Sequence, residues 1–188
     1  MNLLMKILLR LLTASALVLA NSHAFADEAN SAKKADSEAS ALDFSLKNQD
    51  GKLIKLSDRK GVGYTVVYFY PKADTPGCTK QACAFRDSIS VIRKQGAEVY
   101  GVSVNTVEEQ KAFHTKNNLN FDLLADADGA VTKLFKVESK IPLIKMARRD
   151  TFILDENLKV RRHFENVDPA LDAKTVAAAI EELRKQVN

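Results

Sequence analysis

The segment Pro71-Lys72-Ala73-Asp74-Thr75-Pro76-Gly77-Cys78-Thr79-Lys80-Gln81-Ala82-Cys83 gathers the residues of this 188-residue chain best suited to chemistry, including both of its cysteines. The thiolate, not the thiol, is the nucleophile. The run YTVVYFY at 64–70 reads as a strand, and a helical pattern begins near Cys78. Cys78 then falls in the first helical turn. There, backbone N–H groups without helical partners and the positive end of the helix dipole stabilise an anion. Thr75 offers a hydroxyl three residues earlier, while Pro71 and Pro76 stiffen the loop and donate no N–H bonds. The chemistry suggested is nucleophilic attack by a Cys78 thiolate.

A second reading of the cysteines is a structural disulfide. Helix geometry weighs against a permanent one. Residues i and i+5 of a helix lie about 8–9 Å apart between Cα atoms. A disulfide tolerates up to about 7 Å. A bridge that forms transiently fits an intact helix better than a permanent one that destroys it. Cys-x4-Cys is not the Cys-x-x-Cys spacing of dithiol oxidoreductases. Two cysteines with His114 and His163 at scattered positions lack the ligand spacing of a zinc site. No metal and no cofactor is expected.

The elements that must position this segment can be read around it. The run 64–70 is β-branched and aromatic almost throughout, as in a strand buried on both faces. The helix at about 78–95 carries Ala82, Phe85, Ile89 and Ile92 on one stripe and stops at Gly96. Residues 99–104 read as a second core strand. Thr106-x-x-Glu109 is a capping box that opens a helix to about Lys116. A short helix at 130–136 follows the Asp126-Ala127-Asp128-Gly129 turn. Hairpins are expected around Asn48-Gln49-Asp50-Gly51 and around Asp155-Glu156-Asn157, and a last helix at about 171–185. Strands alternating with helices imply an α/β fold, a three-layer α/β/α sandwich on a central mixed sheet. With 46% hydrophobic and 28% charged residues, the chain suits one globular domain.

The N-terminus reads as an address. Residues 1–6 are a short basic start, 7–20 are apolar apart from Arg10, Thr13 and Ser15, and Ala24-Phe25-Ala26 precedes Asp27. This is the layout of a signal peptide over 1–26. The apolar stretch after Arg10 is too short for the roughly 20 residues of a membrane span. Residues 27–40 hold only Ala, Ser, Asn and charges and read as a flexible linker, with the folded domain over 41–188. Export, most simply to a periplasm, places the cysteines in an oxidising compartment, with no stable membrane association after cleavage. The net charge is +4, and +2 without the first 26 residues, which hold Lys6, Arg10 and no acid. So small a balance gives no reason to expect nucleic acid.

The run Pro71-x-x-x-Thr75-x-x-Cys78 resembles the active-site motif of the peroxiredoxins. The longer string YFYPKADTPGCTKQACAFRD is similar to their Q, or bacterioferritin-comigratory-protein, subfamily. The resemblance spans about 41–183 and includes Asp43-Phe44-Ser45-Leu46, Gly101-Val102-Ser103, Leu123-Leu124-Ala125-Asp126 and Arg149-Asp150-Thr151-Phe152-Ile153. It implies a thioredoxin-like fold, a monomer, a peroxide substrate and a thioredoxin-like dithiol reductant. Cys78 would be the peroxidatic cysteine and Cys83 the resolving one, joined in an intramolecular disulfide. Pro71, Thr75, Gly77 and Arg149 would line the substrate pocket, with Arg149 beside the thiolate. The subfamily's Glu three residues after the first cysteine is Gln81 here, which can hydrogen-bond the arginine but not pair with it as an ion. Pro before Asp43 is replaced by Leu42.

The expected function is therefore thiol-dependent reduction of hydrogen peroxide and organic hydroperoxides. A redox sensor or holdase using the same cysteines is the alternative. Blander readings suit the remaining residues. Arg148 reads as a solvated charge, Arg86-Asp87 as a local ion pair with Arg86 within possible reach of the pocket, and His114 and His163 as a helix-surface and a strand residue.

Overall fold

A computed structural model describes residues 42–141 and 145–186. The expected signal peptide at 1–26 and linker at 27–40 lie outside the described residues. The strands are β1 (Ser45–Asn48), β2 (Leu53–Lys55), β3 (Tyr64–Phe69), β4 (Ala97–Ser103), β5 (Asp122–Ala125), β6 (Thr151–Leu154) and β7 (Val160–Phe164). The helices are α1 (Pro76–Lys94), α2 (Val107–Lys116), α3 (Ala130–Leu134) and α4 (Asp172–Lys185), with a 3-10 turn at Leu56–Arg59. One mixed sheet runs β2-β1-β5-β4-β3-β6-β7. The β3, β4 and β5 strands are parallel, and β6 lies antiparallel to β3.

β3 sits near the middle of this sheet because both of its faces are apolar. Side chains alternate across a strand. Val66, Tyr68 and Tyr70 enter the cluster that also holds Cys78, Ala82, Phe85, Ile89 and Ile92 of α1 and Val176 and Ile180 of α4. Val67 and Phe69 enter the opposite cluster with Val102, Leu124, Phe135 and Phe152. The layers are therefore unequal. The long helices α1 and α4, with Phe113 of α2, cover one face, and α3, the 3-10 turn and the chain around Val137 cover the other.

Three differences from the sequence reading have local causes. β5 is an extra core strand. Only four residues long, it shows too little periodicity to stand out between a helix and a turn. The second strand of the first hairpin ends at Lys55, and buried Leu56 starts the 3-10 turn. Arg148 is not a solvated charge: its Nη2 donates to Asp150 Oδ2 at 2.8 Å, and Asp150 is buried. Among the described residues no helix is long and apolar enough to cross a membrane.

Candidate active site

The Cys78 site lies at the carboxyl edge of the parallel strands, where β3 gives way to α1. Tyr70 extends β3 by one residue, its N–H donating to Val102 O at 3.1 Å. The loop that follows is held from the side by α2. Ala73 N–H donates to Asn105 Oδ1 at 2.9 Å, and Asn105 Nδ2 donates to Glu109 Oε2 at 2.9 Å. Glu109 also closes the Thr106 capping box. The start of α2 thus fixes the loop that leads into α1.

Thr75 is the N-cap of α1 and Pro76 its first residue, so Cys78 is the third. Thr75 makes no side-chain cap; its hydroxyl donates to Lys72 O at 3.0 Å. The oxygen keeps lone pairs with which to accept a hydrogen bond from a ligand. The Gly77 and Cys78 N–H groups precede the first carbonyl that could accept them within the helix. Cys78 is 1% exposed, while Pro71, Thr75 and Gly77 are half-buried.

Arg149 reaches this sulfur from 71 residues away. The pairing of Tyr68 with Thr151 and the bond from Phe69 N–H to Asp150 O, 2.8 Å, set the register. Thr151 shares the face of Tyr68, and Arg149, two residues back, shares it too. Arg148 and Asp150 fall on the other face. Arg149 Nη2 donates to Cys78 Sγ at 3.3 Å, and Nη1 donates to Gln81 Oε1 at 2.6 Å. A guanidinium donor stabilises an anionic sulfur more than a neutral one. Gly77 allows this approach, since a Cβ there would stand 3.3 Å from Arg149 Nη2.

Asp150 anchors the arginine's backbone from the far face. Burial pushes its carboxyl up, but Arg148, the Asn166 N–H and His163 outweigh that and hold it below its ordinary value. His163 Nε2 lies 3.0 Å from Asp150 Oδ2, and its ring stacks on Phe152. Arg86 does not take Arg149's place. It pairs with Asp87 at 2.8 Å and donates to Asn117 O at 2.9 Å. Burial pushes the Tyr68 and Tyr70 hydroxyls, in the Cys78 cluster, far above their ordinary range.

Cys83 lies on the same helix, half-buried, and both thiols are free. With α1 continuous from Pro76 to Lys94, the two Cα atoms are about 8–9 Å apart by helical rise and turn. The structure thus brings Cys78, Arg149, Gln81 and Gly77 together and leaves Cys83 outside that contact set. Sequence reasoning missed Asn105 and Asp172. Asp172 Oδ2 accepts from Gln81 Nε2 at 2.6 Å and from Thr151 Oγ1 at 2.8 Å. An acid at the start of a helix looks like an ordinary first-turn residue, so nothing in its local sequence signals this burial.

The AhpC/TSA family model matches residues 38–163. The chain belongs to the AhpC/TSA family. Within that family its relatives are peroxiredoxin Q proteins, as the 71–83 motif implied. The chloroplastic peroxiredoxin Q of Sedum lineare is 46% identical over 123 residues, 65% of this chain and 65% of the relative. That of Suaeda salsa is 47% identical over 123 residues, 65% of this chain and 56% of the relative. The match thus spans less than two thirds of either plant protein's length. The crystal structure of peroxidoxin BcpB from Mycobacterium tuberculosis superposes with a TM-score of 0.70 at 34% identity, over 74% of this chain and 92% of that one. A structure of the Xanthomonas campestris bacterioferritin comigratory protein, described by its alkyl peroxide reduction activity, gives a TM-score of 0.70 at 29% identity, over 74% and 90%. The thioredoxin-like fold of the family is the fold of this chain.

Proposed function

We propose that this member of the AhpC/TSA family is a thiol peroxidase in which Cys78 attacks hydrogen peroxide or an organic hydroperoxide. The observation that carries the reading is Arg149 Nη2 on Cys78 Sγ at the N-terminus of α1. The thiolate attacks one peroxide oxygen, the O–O bond breaks, and the other oxygen leaves with the electron pair and takes a proton. Sulfur is oxidised by two electrons to sulfenic acid, and the peroxide is reduced to water or an alcohol. Arg149 and the first-turn N–H groups face the place where charge develops on the leaving oxygen. The Thr75 oxygen accepts the peroxide O–H. Pro71 and Gly77 complete the mouth of the pocket.

Cys83 then attacks the sulfenic sulfur, hydroxide leaves as water after protonation, and an intramolecular Cys78–Cys83 disulfide forms. A thioredoxin-like dithiol returns both thiols. The protein works as a monomer and without a cofactor. In cells, the reading places it in antioxidant defence, exported after cleavage behind Ala26.

Rapid mixing of reduced protein with hydrogen peroxide tests the chemistry. Wild type should turn over with a dithiol donor. Cys78→Ser should not react. Cys83→Ser should react once and stop as a sulfenic acid that dimedone traps. A single-turnover rate for Cys78→Ser equal to that of wild type would refute the assignment. The intact mass of protein from the exported fraction should begin at Asp27, and a retained Met1 would overturn the cleavage.

A further inference from the structure

Arg149 holds Cys78 with one arm and Gln81 with the other, and a glutamine can present either of two ends. Its carbonyl accepts and its NH2 donates. Turned by half a revolution, Gln81 would aim donors at a guanidinium. What selects the observed orientation is an acceptor at the far end of the amide, Asp172 Oδ2, 2.6 Å from Gln81 Nε2. Gln81 is 0% exposed and Asp172 is 1% exposed, so solvent cannot supply that acceptor. Thr151 Oγ1 donates to the same Asp172 oxygen at 2.8 Å. A continuous path therefore runs Thr151, Asp172, Gln81, Arg149, Cys78, and it joins β6, α4 and α1.

We propose that Asp172 is a positioning residue for the Cys78 centre. It fixes the Gln81 amide so that its carbonyl faces Arg149, and it thereby holds the guanidinium on the sulfur. The proposal rests on the thiol peroxidase reading above.

Asp172 is hard to explain as a packing residue. Replacing a buried charge by an apolar residue of similar volume is often neutral or stabilising. Asp172 Oδ1 has no hydrogen-bond partner among the described residues, so this carboxyl is not fully satisfied where it stands. Burial pushes it up to about 6, against the pull of Gln81, Thr151 and Arg149. The charged or titratable groups around it are Arg149, Tyr68 of β3 and, beyond the guanidinium, Cys78. A buried acid with one unpartnered oxygen beside a reactive centre points to a task at that centre. In this chain the carboxylate stands one amide away from the arginine, with Gln81 as the spacer.

The test is a double-mutant cycle on the full chain, read as the single-turnover rate of Cys78 oxidation by hydrogen peroxide. Asp172→Leu keeps the branched shape, though not the smaller volume, and removes the acceptor. It should slow oxidation about tenfold, the worth of one hydrogen bond to a charged group, with no loss of thermal stability. Asp172→Asn, whose carbonyl can accept the same two bonds, should stay within about threefold of wild type. In a Gln81→Leu background, Asp172→Leu should slow the rate no further, because its effect passes through Gln81. If the Leu variant does not fold, Asp172→Ala is used in both backgrounds with the same expectation. An unchanged rate, or an equal slowing with and without Gln81, would overturn the proposal. Wild type and Cys78→Ser run alongside. Failure of wild type to react would refute the peroxidase reading itself, whereas a reactive wild type with an indifferent Asp172 would refute only the positioning role.

Discussion

Joining Cys78 to Cys83 must unwind the start of α1. The two residues sit five apart in an unbroken helix, about 8–9 Å between Cα atoms against the about 7 Å that a disulfide spans. The residues between them are not loosely held. Gln81 and Ala82 are fully buried, and Gln81 bonds both Arg149 and Asp172. Losing two hydrogen bonds to charged groups costs about 3 kcal/mol at the low end. Exposing Ala82 and Cys78 adds about 1–2 kcal/mol of apolar surface. An opening free energy of about 4–5 kcal/mol corresponds to one open helix start per about 10³ molecules. Amides of 79–82 in the dithiol form should therefore exchange about 10³-fold more slowly than an open chain. In the disulfide form that protection should fall nearly to zero while β3 and β4 remain protected. Hydrogen exchange followed by mass spectrometry on peptides across 79–86 reads both states. A variant separates opening from chemistry. Ala82→Gly weakens the helix by about 1 kcal/mol and should speed disulfide formation about fivefold without changing the rate of sulfenic acid formation. Equal protection in both redox forms would refute the reasoning and point to a bridge with a cysteine of another chain.

Further outcomes follow from the same contacts. Arg149→Gln should slow Cys78 oxidation about 10²-fold with little effect on folding, and Arg149→Lys should recover only part, since an ammonium cannot hold sulfur and Gln81 with a planar fork; stopped-flow peroxide consumption measures both, and a wild-type rate in Arg149→Gln would move the role elsewhere. Gly77→Ala places a Cβ 3.3 Å from Arg149 Nη2, so the guanidinium must give by a few tenths of an ångström, and the oxidation rate should fall while the unfolding midpoint barely moves. A rate equal to wild type would mean that the arginine has room to spare. Stability should depend on Asp172 in a defined pH window. Its carboxyl is raised from 3.8 to about 6, so folding disfavours the ionised form, and stability falls as pH rises through that interval. Asp172→Asn should accordingly be more stable than wild type at pH 8 by up to about 3 kcal/mol and no more stable below pH 4. Denaturant titrations at the two pH values check this, and a pH-independent difference would contradict it. Asp150 works in the opposite sense. Held below its ordinary value, it supports the fold above pH 4 and loses that contribution in acid, so Asp150→Asn should lower the denaturation midpoint at pH 7 and matter least near pH 2.

What local order dictates was readable before any fold was known. The nearly unbroken β-branched and aromatic run at 64–70 announced a strand with two apolar faces, and the stripe Ala82, Phe85, Ile89 and Ile92 announced α1. Thr106 and Glu109 cap α2 as their spacing requires. Cys78 at a helix start and Cys83 five residues later follow from the same short-range rules, and so does the conflict between an intact helix and a bridge. These features depend on residues within one or two turns of each other, where backbone geometry is nearly fixed.

Chain folding alone chose the groups that meet at the sulfur. Nothing local distinguishes Arg149 from Arg148. The antiparallel register of β6 on β3 assigns them opposite faces, one toward Cys78 and one toward Asp150. Motif resemblance singled out Arg149, but the physical reason is that alternation. Asp172 lies 91 residues from Gln81 in sequence, and only the packing of α4 against α1 makes it the acceptor that orients the amide. β5 escaped notice for a related reason, since four residues become a core strand only when β4 is there to pair with them. Such contacts join distant parts of the chain through sheet register and helix docking, which no window of neighbouring residues contains.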